Sequence, residues 1–441
     1  MSDVNHSSRS PRVLAWVLLL FVFAAGLRVG WVAVRYHDPS RTEWLEYPDE
    51  EAYWLAARSL SAGEGLRDEF GYQATYMPAY PMFLSMFAGL EHPLWWARIV
   101  QALLAAWVAP ATFLLAGSWA RWSAASDEGG IPRPAVWAGL AAALDPFLVF
   151  FSGLLLTEAL FAAALTSAWV LVVAISAGLS VGPTTYAPTR ASSSSAFSGA
   201  GLTGLAIGAG LLLWLGVMLR PSAVMLVAAT AALLLAGRRA IRQRWQAAAI
   251  VVVVVIIALL PWALRNRVVL GQWRWLTTRG GISLYDGLQP GATGGSDLAH
   301  TKTLPEMRGL SEIAWDRYFR DQAWAAVRQD PARAIGLAWN KFLRTWSLGP
   351  NVAAYRHGLP AVVSAGWTAS LLVLAIVGLW SRRRSAAACV TILLPVIVFT
   401  LLHMVFIGSV RYRVPVMPMV MVLSAAGLHC LPQGRSRSKP G

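Results

Sequence analysis

Cysteine is nearly missing from this chain: there are two, Cys389 and Cys430, in 441 residues. Both sit inside or at the edge of apolar segments, which excludes a disulfide framework and a cysteine-built metal site. Charge is scarce as well, at 13% of residues, and acids are the scarcer sign, 22 Asp and Glu against 37 Lys and Arg. A soluble domain carries about 25% charged residues, so an ordinary soluble domain is excluded. The seven histidines show no metal-ligand spacing, and neither a soluble catalytic motif nor a repeat of fixed period is found.

What is present is apolar. Hydrophobic residues make up 56% of the chain and the mean hydropathy is +0.52. Several runs exceed the roughly 18 apolar residues that cross a bilayer. The chain reads as an all-α polytopic membrane protein. Its net charge of +15 would suit nucleic acid or an anionic membrane. The arginines flank the apolar runs, so headgroups and topology account for them, and no nucleic-acid partner is expected.

Ten spans are expected, at 13–34, 94–118, 134–151, 157–178, 201–218, 221–236, 247–264, 360–380, 386–408 and 414–430. Basic loops alternate with basic-poor ones. Arg9 and Arg12, Arg121 and Arg133, the Ser-rich 180–199 linker with Arg190, the group Arg238, Arg239, Arg242 and Arg244, the triplet Arg382 to Arg384, and the tail with Arg435, Arg437 and Lys439 define one side. Short Lys/Arg-rich loops face the cytoplasm, so both termini are expected there. The run after Arg12 continues to Val34, too long for a cleaved signal core, and reads as a span. Three regions follow: 1–264, spans one to seven with an acidic first external loop at 35–93; 265–359, a large external loop; and 360–441, the last spans and a basic tail.

The external loops carry amphipathic pieces. Pro48 suits a first helical turn, Asp49, Glu50 and Glu51 then complement the dipole, and Tyr53, Trp54, Ala57 and Leu60 follow at helical spacing before Gly63 and Gly65. A second interfacial helix is expected between Tyr76 and Leu90. In the large loop, Trp315, Phe319, Ala323 and Val327, then Ile335, Trp339, Phe342 and Trp346, repeat on either side of Asp330-Pro331, a helix–Pro–helix pair. Gly280, Gly281, Gly287 and Gly291 to Gly295 mark a flexible loop around Tyr285.

Candidate site residues are those that break the topology rule. The acids Asp49 to Glu51 stand at the mouth of the bundle, and Asp145 and Glu158 sit at span ends on the same side. An ionisable group there is costly and generally has a partner. Arg220, Arg265, Arg267 and Arg411 lie on the same external side. Each alone reads as an interface anchor; together they suit an anionic headgroup opposite a carboxylate base. Arg28 either faces the same cavity or snorkels. Most Trp residues read as interfacial belt.

Here the sequence resembles a known family. "PDEEAYWLAARSL" with "GEGL", then "YMPAYPMFL", resembles the first external loop of GT-C glycosyltransferases, the branch of protein O-mannosyltransferases, aminoarabinose-type lipid A transferases and the RgtA/B/C/D-like group. "LDPFLVFFSGLLLTEALF", "LLLWLGVMLRPSAV", "LLPWALRNRVVLGQW", "RGGISLYDG", "RDQAWAAVRQDPARAIGLAWNKFLRTW" and "RYRVPVMPMVMVLSAAGL" follow in family order. The resemblance implies a GT-C-like bundle with interfacial helices in the first and fourth external loops. It implies sugar transfer from a polyprenyl-phosphate donor to a protein, lipid or glycan hydroxyl, outside the inner membrane.

By that likeness Asp49 is the base with Glu50 beside it, Glu158 is the second acid with Asp145 as alternative, Arg265 or Arg267 meets the donor phosphate, and Tyr285 lies in a mobile loop over it. The triple acid, where a pair is usual, leaves the register open by one residue. A direct displacement, Asp49 as general base and Arg265, Arg267 and Arg411 on the leaving phosphate, would invert the anomeric centre. A divalent ion, Mg2+ or Mn2+, bridging Asp49 and Glu158 stays open. The competing functions are a transporter or flippase of a glycolipid or anionic substrate, and an inactive glycolipid-binding relative.

Overall fold

The computed structural model describes residues 9–38, 43–124, 130–181, 199–297 and 309–430. Most of the Ser-rich linker, the basic tail, His6 and His300 lie outside the described residues. The described residues form helices: α1 (Arg9–Arg35), α2 (Pro48–Ser61), α3 (Ala79–Ser85), α4 (Pro93–Ala106), α5 (Val108–Ala124), α6 (Arg133–Leu144), α7 (Pro146–Ser152), α8 (Glu158–Val181), α9 (Gly199–Leu219), α10 (Val224–Leu235), α11 (Ile241–Leu270), α12 (Gly280–Asp286), α13 (Glu312–Gln329), α14 (Pro331–Thr345), α15 (Gly358–Ser381), α16 (Ala386–Val405), α17 (Val410–Arg413) and α18 (Met417–Cys430).

Every apolar run expected to span is helical, but two are not simple spans. Among the described residues, eight helical stretches are long and apolar enough to cross a membrane, α4 with α5 and α17 with α18 each counting as one. The run at 134–151 is broken: α6 stops before Asp145-Pro146, because the residue preceding proline is pushed out of the helical region. Asp145 then caps α7, its Oδ1 accepting the Leu148 N–H at 2.8 Å, and the two pieces meet at 48°. Taken together they make a ninth candidate. The run at 221–236 is a three-residue 3-10 turn plus the 12-residue α10; at about 1.5 Å per residue it falls short of a hydrocarbon core about 30 Å thick.

Water-free packing selects small residues at helix crossings. Gly378 of α15 and Gly427 of α18 face each other so closely that a Cβ on either would sit 1.9 Å from the Leu423 oxygen or 2.0 Å from the Leu374 oxygen. The pairing fixes α18, and with it the short α17 at its head. At the opposite end of the bundle Arg244 donates to the carbonyls of Leu234 (3.0 Å) and Leu179 (3.3 Å), closing the C-terminal ends of α10 and α8.

The two amphipathic regions form as the sequence predicts. α2 starts at Pro48, and α13 and α14 are separated at Asp330-Pro331, where Asp330 caps α14 by accepting the Arg333 N–H at 2.8 Å. The glycine-rich stretch differs from a plain flexible loop, since Gly280–Asp286 is helical. Gly281 lets α12 lie directly on α13: a Cβ there would be 1.9 Å from the Asp316 oxygen, and the Gly281 N–H donates to Asp316 Oδ1 at 2.7 Å.

Candidate active site

Four separate elements bring charges together at one end of the bundle. Asp49 is in the first turn of α2, Glu158 begins α8, Arg220 follows α9, and Arg411 belongs to α17. Arg411 joins the two acids: its Nη1 donates to Asp49 Oδ2 and its Nε to Glu158 Oε1. Arg220 Nη1 donates to the same Glu158 oxygen at 3.0 Å. The Glu158 side chain is fully buried, whereas that of Asp49 keeps 40% exposure. Asp49 is therefore the acid that an incoming molecule can touch.

A third guanidinium faces Asp49. Arg279, just before α12, donates to the Tyr76 hydroxyl and lies over its ring at 5.1 Å. Burial alone would raise the Asp49 pKa. Arg411, Arg279 and Arg220 outweigh it and hold the carboxyl below the ordinary aspartate value. Tyr53, one turn after Asp49, packs on Tyr76 and Tyr80 with ring centroids 5.0 Å apart in each case. Three guanidinium groups thus surround two carboxylates, so the recess carries an excess of positive charge.

The neighbouring acid is turned the other way. Glu50 is buried and accepts the backbone N–H groups of Leu155 at 2.7 Å, Glu46 at 2.8 Å and Tyr47 at 3.1 Å. Arg98, also buried, approaches it at 4.0 Å. Glu50 anchors α2 to the segment before α8 and faces away from the recess. Glu51 is exposed. Of the three adjacent acids, Asp49 alone meets the cluster.

Other expected residues lie elsewhere. Arg265 donates to the Gln73 carbonyl at 2.7 Å and to Asn266 at 3.0 Å, with its guanidinium over Trp262. Arg267 donates to the Gly271 carbonyl at the end of α11. Neither hydrogen-bonds a member of the ion cluster. Tyr285 packs on Phe319, 5.0 Å between centroids, in an aromatic group with Ile282 and Trp315. Asp145 accepts Leu148 N–H and the Trp367 indole at 2.8 Å, and Arg28 donates to the carbonyls of Ala142 and Ala143 at 3.0 and 3.3 Å; both serve the break between α6 and α7. Sequence reasoning passed over Arg279, although it too is an arginine outside the basic loops and stands in a stretch that resembles the family.

The donor set does not fit a metal bridge between Asp49 and Glu158. The Arg411 guanidinium fills the bridging position, and among the described residues no group of three or more His, Cys, Asp or Glu converges.

Beside the cluster runs an apolar groove of about 810 Å3, walled by α1, α7 and α15 with the segment 350–355. Leu27, Gly30, Trp31, Phe150, Leu359 and Val363 are among its walls, and Arg411 is the one charged lining residue among the described residues. Arg35 holds one side in place, donating to Glu46 at 2.8 Å and to the Tyr355 hydroxyl at 2.7 Å. Arg411 thus faces both the groove and Asp49.

These features define a multi-pass membrane protein with an arginine-rich recess at the rim of an apolar groove. No family model matches the sequence, and no curated protein matches it. Among solved structures, the oligosaccharyltransferase of Archaeoglobus fulgidus tethered with an acceptor peptide matches at TM-score 0.56, 14% identical, over 95% of this chain and 49% of that one. The archaeal oligosaccharyltransferase AglB from Archaeoglobus fulgidus, in complex with an inhibitory peptide and a dolichol-phosphate, matches at TM-score 0.54, 12% identical, over 95% and 50%. ArnT from Cupriavidus metallidurans bound to undecaprenyl phosphate matches at TM-score 0.41, 15% identical, over 94% and 77%. This chain spans about half the length of each of these archaeal chains. The fold is the one these archaeal structures share, the GT-C-like bundle that the sequence resemblance implies.

Proposed function

We propose that this protein transfers a sugar from a polyprenyl-phosphate donor to an acceptor hydroxyl, at the face of the plasma membrane away from the cytoplasm. One observation carries the reading: Arg411 lines an apolar groove and at the same time meets the carboxylate of Asp49. A lipid chain in the groove would bring its phosphate to Arg411, and the sugar attached to that phosphate would then lie beside Asp49. The excess of guanidinium over carboxylate in the recess favours a phosphodiester there.

In this reading Asp49 takes the proton of the acceptor hydroxyl as its oxygen attacks the anomeric carbon, a role worth about 10²–10⁴-fold. The bond from that carbon to the phosphate oxygen breaks, and Arg411 with Arg220 stabilises the departing polyprenyl phosphate. A single displacement of this kind inverts the anomeric centre. Glu158, held by both arginines, orients them. The basic loops at the opposite end of the bundle favour a cytoplasmic location for that end.

The test is transfer from a set of radiolabelled polyprenyl-phosphate sugars by the purified protein in lipid nanodiscs, with a membrane extract as acceptor. Transfer that disappears in Asp49→Asn supports the reading. Transbilayer movement of the donor in proteoliposomes without transfer would replace it with a flippase.

A further inference from the structure

Two of the three cationic neighbours of Asp49, Arg411 and Arg279, have different surroundings. Arg411 lines the apolar groove, and it is shared between Asp49 and Glu158. Arg279 does not line the groove. It is tied on the other side by the Tyr76 hydroxyl, and its segment is braced from below. Buried Glu312 accepts the backbone N–H groups of Gln73 (2.7 Å) and Ala74 (2.8 Å) and the hydroxyl of Thr278, while the Thr278 N–H donates to the Ala74 carbonyl at 3.0 Å. Tyr76 and Arg279 are therefore carried on two loops fastened to one carboxylate, and α12 locks the second loop onto α13 through Gly281.

We propose that these two arginines have separate tasks: Arg411 leaves Asp49 for the phosphate of the lipid-linked donor, while Arg279 stays as a positioning residue that keeps Asp49 oriented and charged. The proposal rests on the donor reading above. One guanidinium edge cannot serve Asp49 and a phosphate at full strength, so donor and base compete for Arg411, and the competition is reciprocal. Donor binding then does two things with one side chain. It satisfies Arg411, and it releases the Asp49 oxygen that the acceptor hydroxyl must reach. Before the donor arrives, the base is held in an ion pair and is weak.

The groups facing Asp49 fix the sign of the accompanying proton change. They are Arg411 and Tyr412 from α17, Arg220 after α9, Glu158 from α8, Arg279 before α12, Tyr76 between α2 and α3, and Tyr53 from α2 itself. Diverting Arg411 and adding a phosphate removes one positive neighbour and adds negative charge. Asp49 then binds protons more readily, so donor binding near pH 5–6, above the ordinary aspartate value of about 3.9, takes up protons through Asp49.

The experiment is calorimetric titration of the full chain in nanodiscs with a polyprenyl monophosphate, near pH 5.5, in two buffers of different ionisation enthalpy. Wild type should take up more protons than Asp49→Asn, and Asp49→Asn should bind roughly fivefold or more tightly, because its competitor for Arg411 is gone. Arg279→Gln should bind with affinity within about twofold of wild type and take up more protons, whereas Arg411→Gln should lose roughly tenfold or more. Arg279→Lys, which keeps the charge, should restore wild-type uptake and serves if the Gln variant does not fold. Equal uptake and equal affinity in wild type and Asp49→Asn would overturn the exchange. Loss of binding in Arg279→Gln matching that in Arg411→Gln would make Arg279 a phosphate ligand and overturn its positioning role. No binding by wild type would overturn the donor reading itself, a distinct result.

Discussion

Glu50 and Leu155 are joined across 105 residues by a single 2.7 Å hydrogen bond from the Leu155 N–H to the Glu50 carboxylate. One residue earlier, Asp49 points to the opposite side and meets Arg411. The two neighbours should respond to substitution in opposite ways. Glu50→Gln keeps one acceptor oxygen but turns its amide NH2 toward either the Leu155 N–H or the N–H pair of Glu46 and Tyr47, and should cost about 1–3 kcal/mol of stability, read as a lower Tm in detergent. Asp49→Asn should keep a Tm close to wild type and lose about 10²–10⁴-fold in sugar transfer. Glu51→Gln should change neither.

That contrast marks how far the sequence reaches. The apolar runs, the proline-started α2 and the pair α13–α14 were legible because span length, capping and the 3.6-residue repeat are local properties. The sidedness of Asp49, Glu158, Arg220 and Arg411 followed from alternation of basic loops. What local patterns do not encode is which way adjacent acids turn once a helix is docked: Glu50 and Asp49 are equivalent charges in a first turn until the segment at Leu155 packs against one of them. Arg265 and Arg279 are equally external in sequence. Long-range packing gives the first to the Gln73 carbonyl and sends the second to Tyr76 beside Asp49.

The groove offers a test that leaves the charged residues alone. Gly30 of α1 lines it, and a Cβ at that position meets nothing within 4 Å. Gly30→Leu should be tolerated by the helix, which gains up to about 1 kcal/mol in propensity, while its side chain fills groove volume. The KM for a long-chain polyprenyl donor should rise roughly tenfold with kcat nearly unchanged, since uniform binding is lost. A donor with a chain of two isoprene units should be affected little. Equal KM changes for both donors would move the lipid out of this groove.

The acid side of the pH profile follows from the ion pairs at Asp49. The base acts when ionised, and the pairing with arginines holds its pKa below the usual 3.8 in the free protein. As pH falls from 8 to about 5, kcat/KM, which reports the free enzyme, should stay flat on account of Asp49. The kcat profile reports the donor complex and should begin to fall at a higher pH, because Arg411 has then been shared with the phosphate. Arg411→Lys, a weaker bidentate partner, should bring the two limbs closer together. Coincident limbs in the wild type would contradict a base whose partner changes on donor binding.

Lys341 of α14 supplies a stability test outside the ion cluster at Asp49. Its side chain is 1% exposed and its Nζ donates to the Val405 carbonyl at 2.7 Å. Burial lowers its pKa to about 8; Asp286 opposes that and Arg333 adds to it. The unfolded chain keeps the ordinary value near 10.5, so between about pH 8 and 10.5 the unfolded state binds more protons than the folded one. Stability rises with pH wherever that holds. Wild type should therefore gain Tm relative to Lys341→Met as pH increases from 8 to 10, by roughly a few degrees. Below pH 8 both states hold the proton and the difference between the two proteins should level off. Loss of the bond to Val405 in the Met variant adds a constant offset and leaves the slope to report the lysine. A difference that stays constant from pH 7 to 10 would show that Lys341 titrates alike in the folded and unfolded chain.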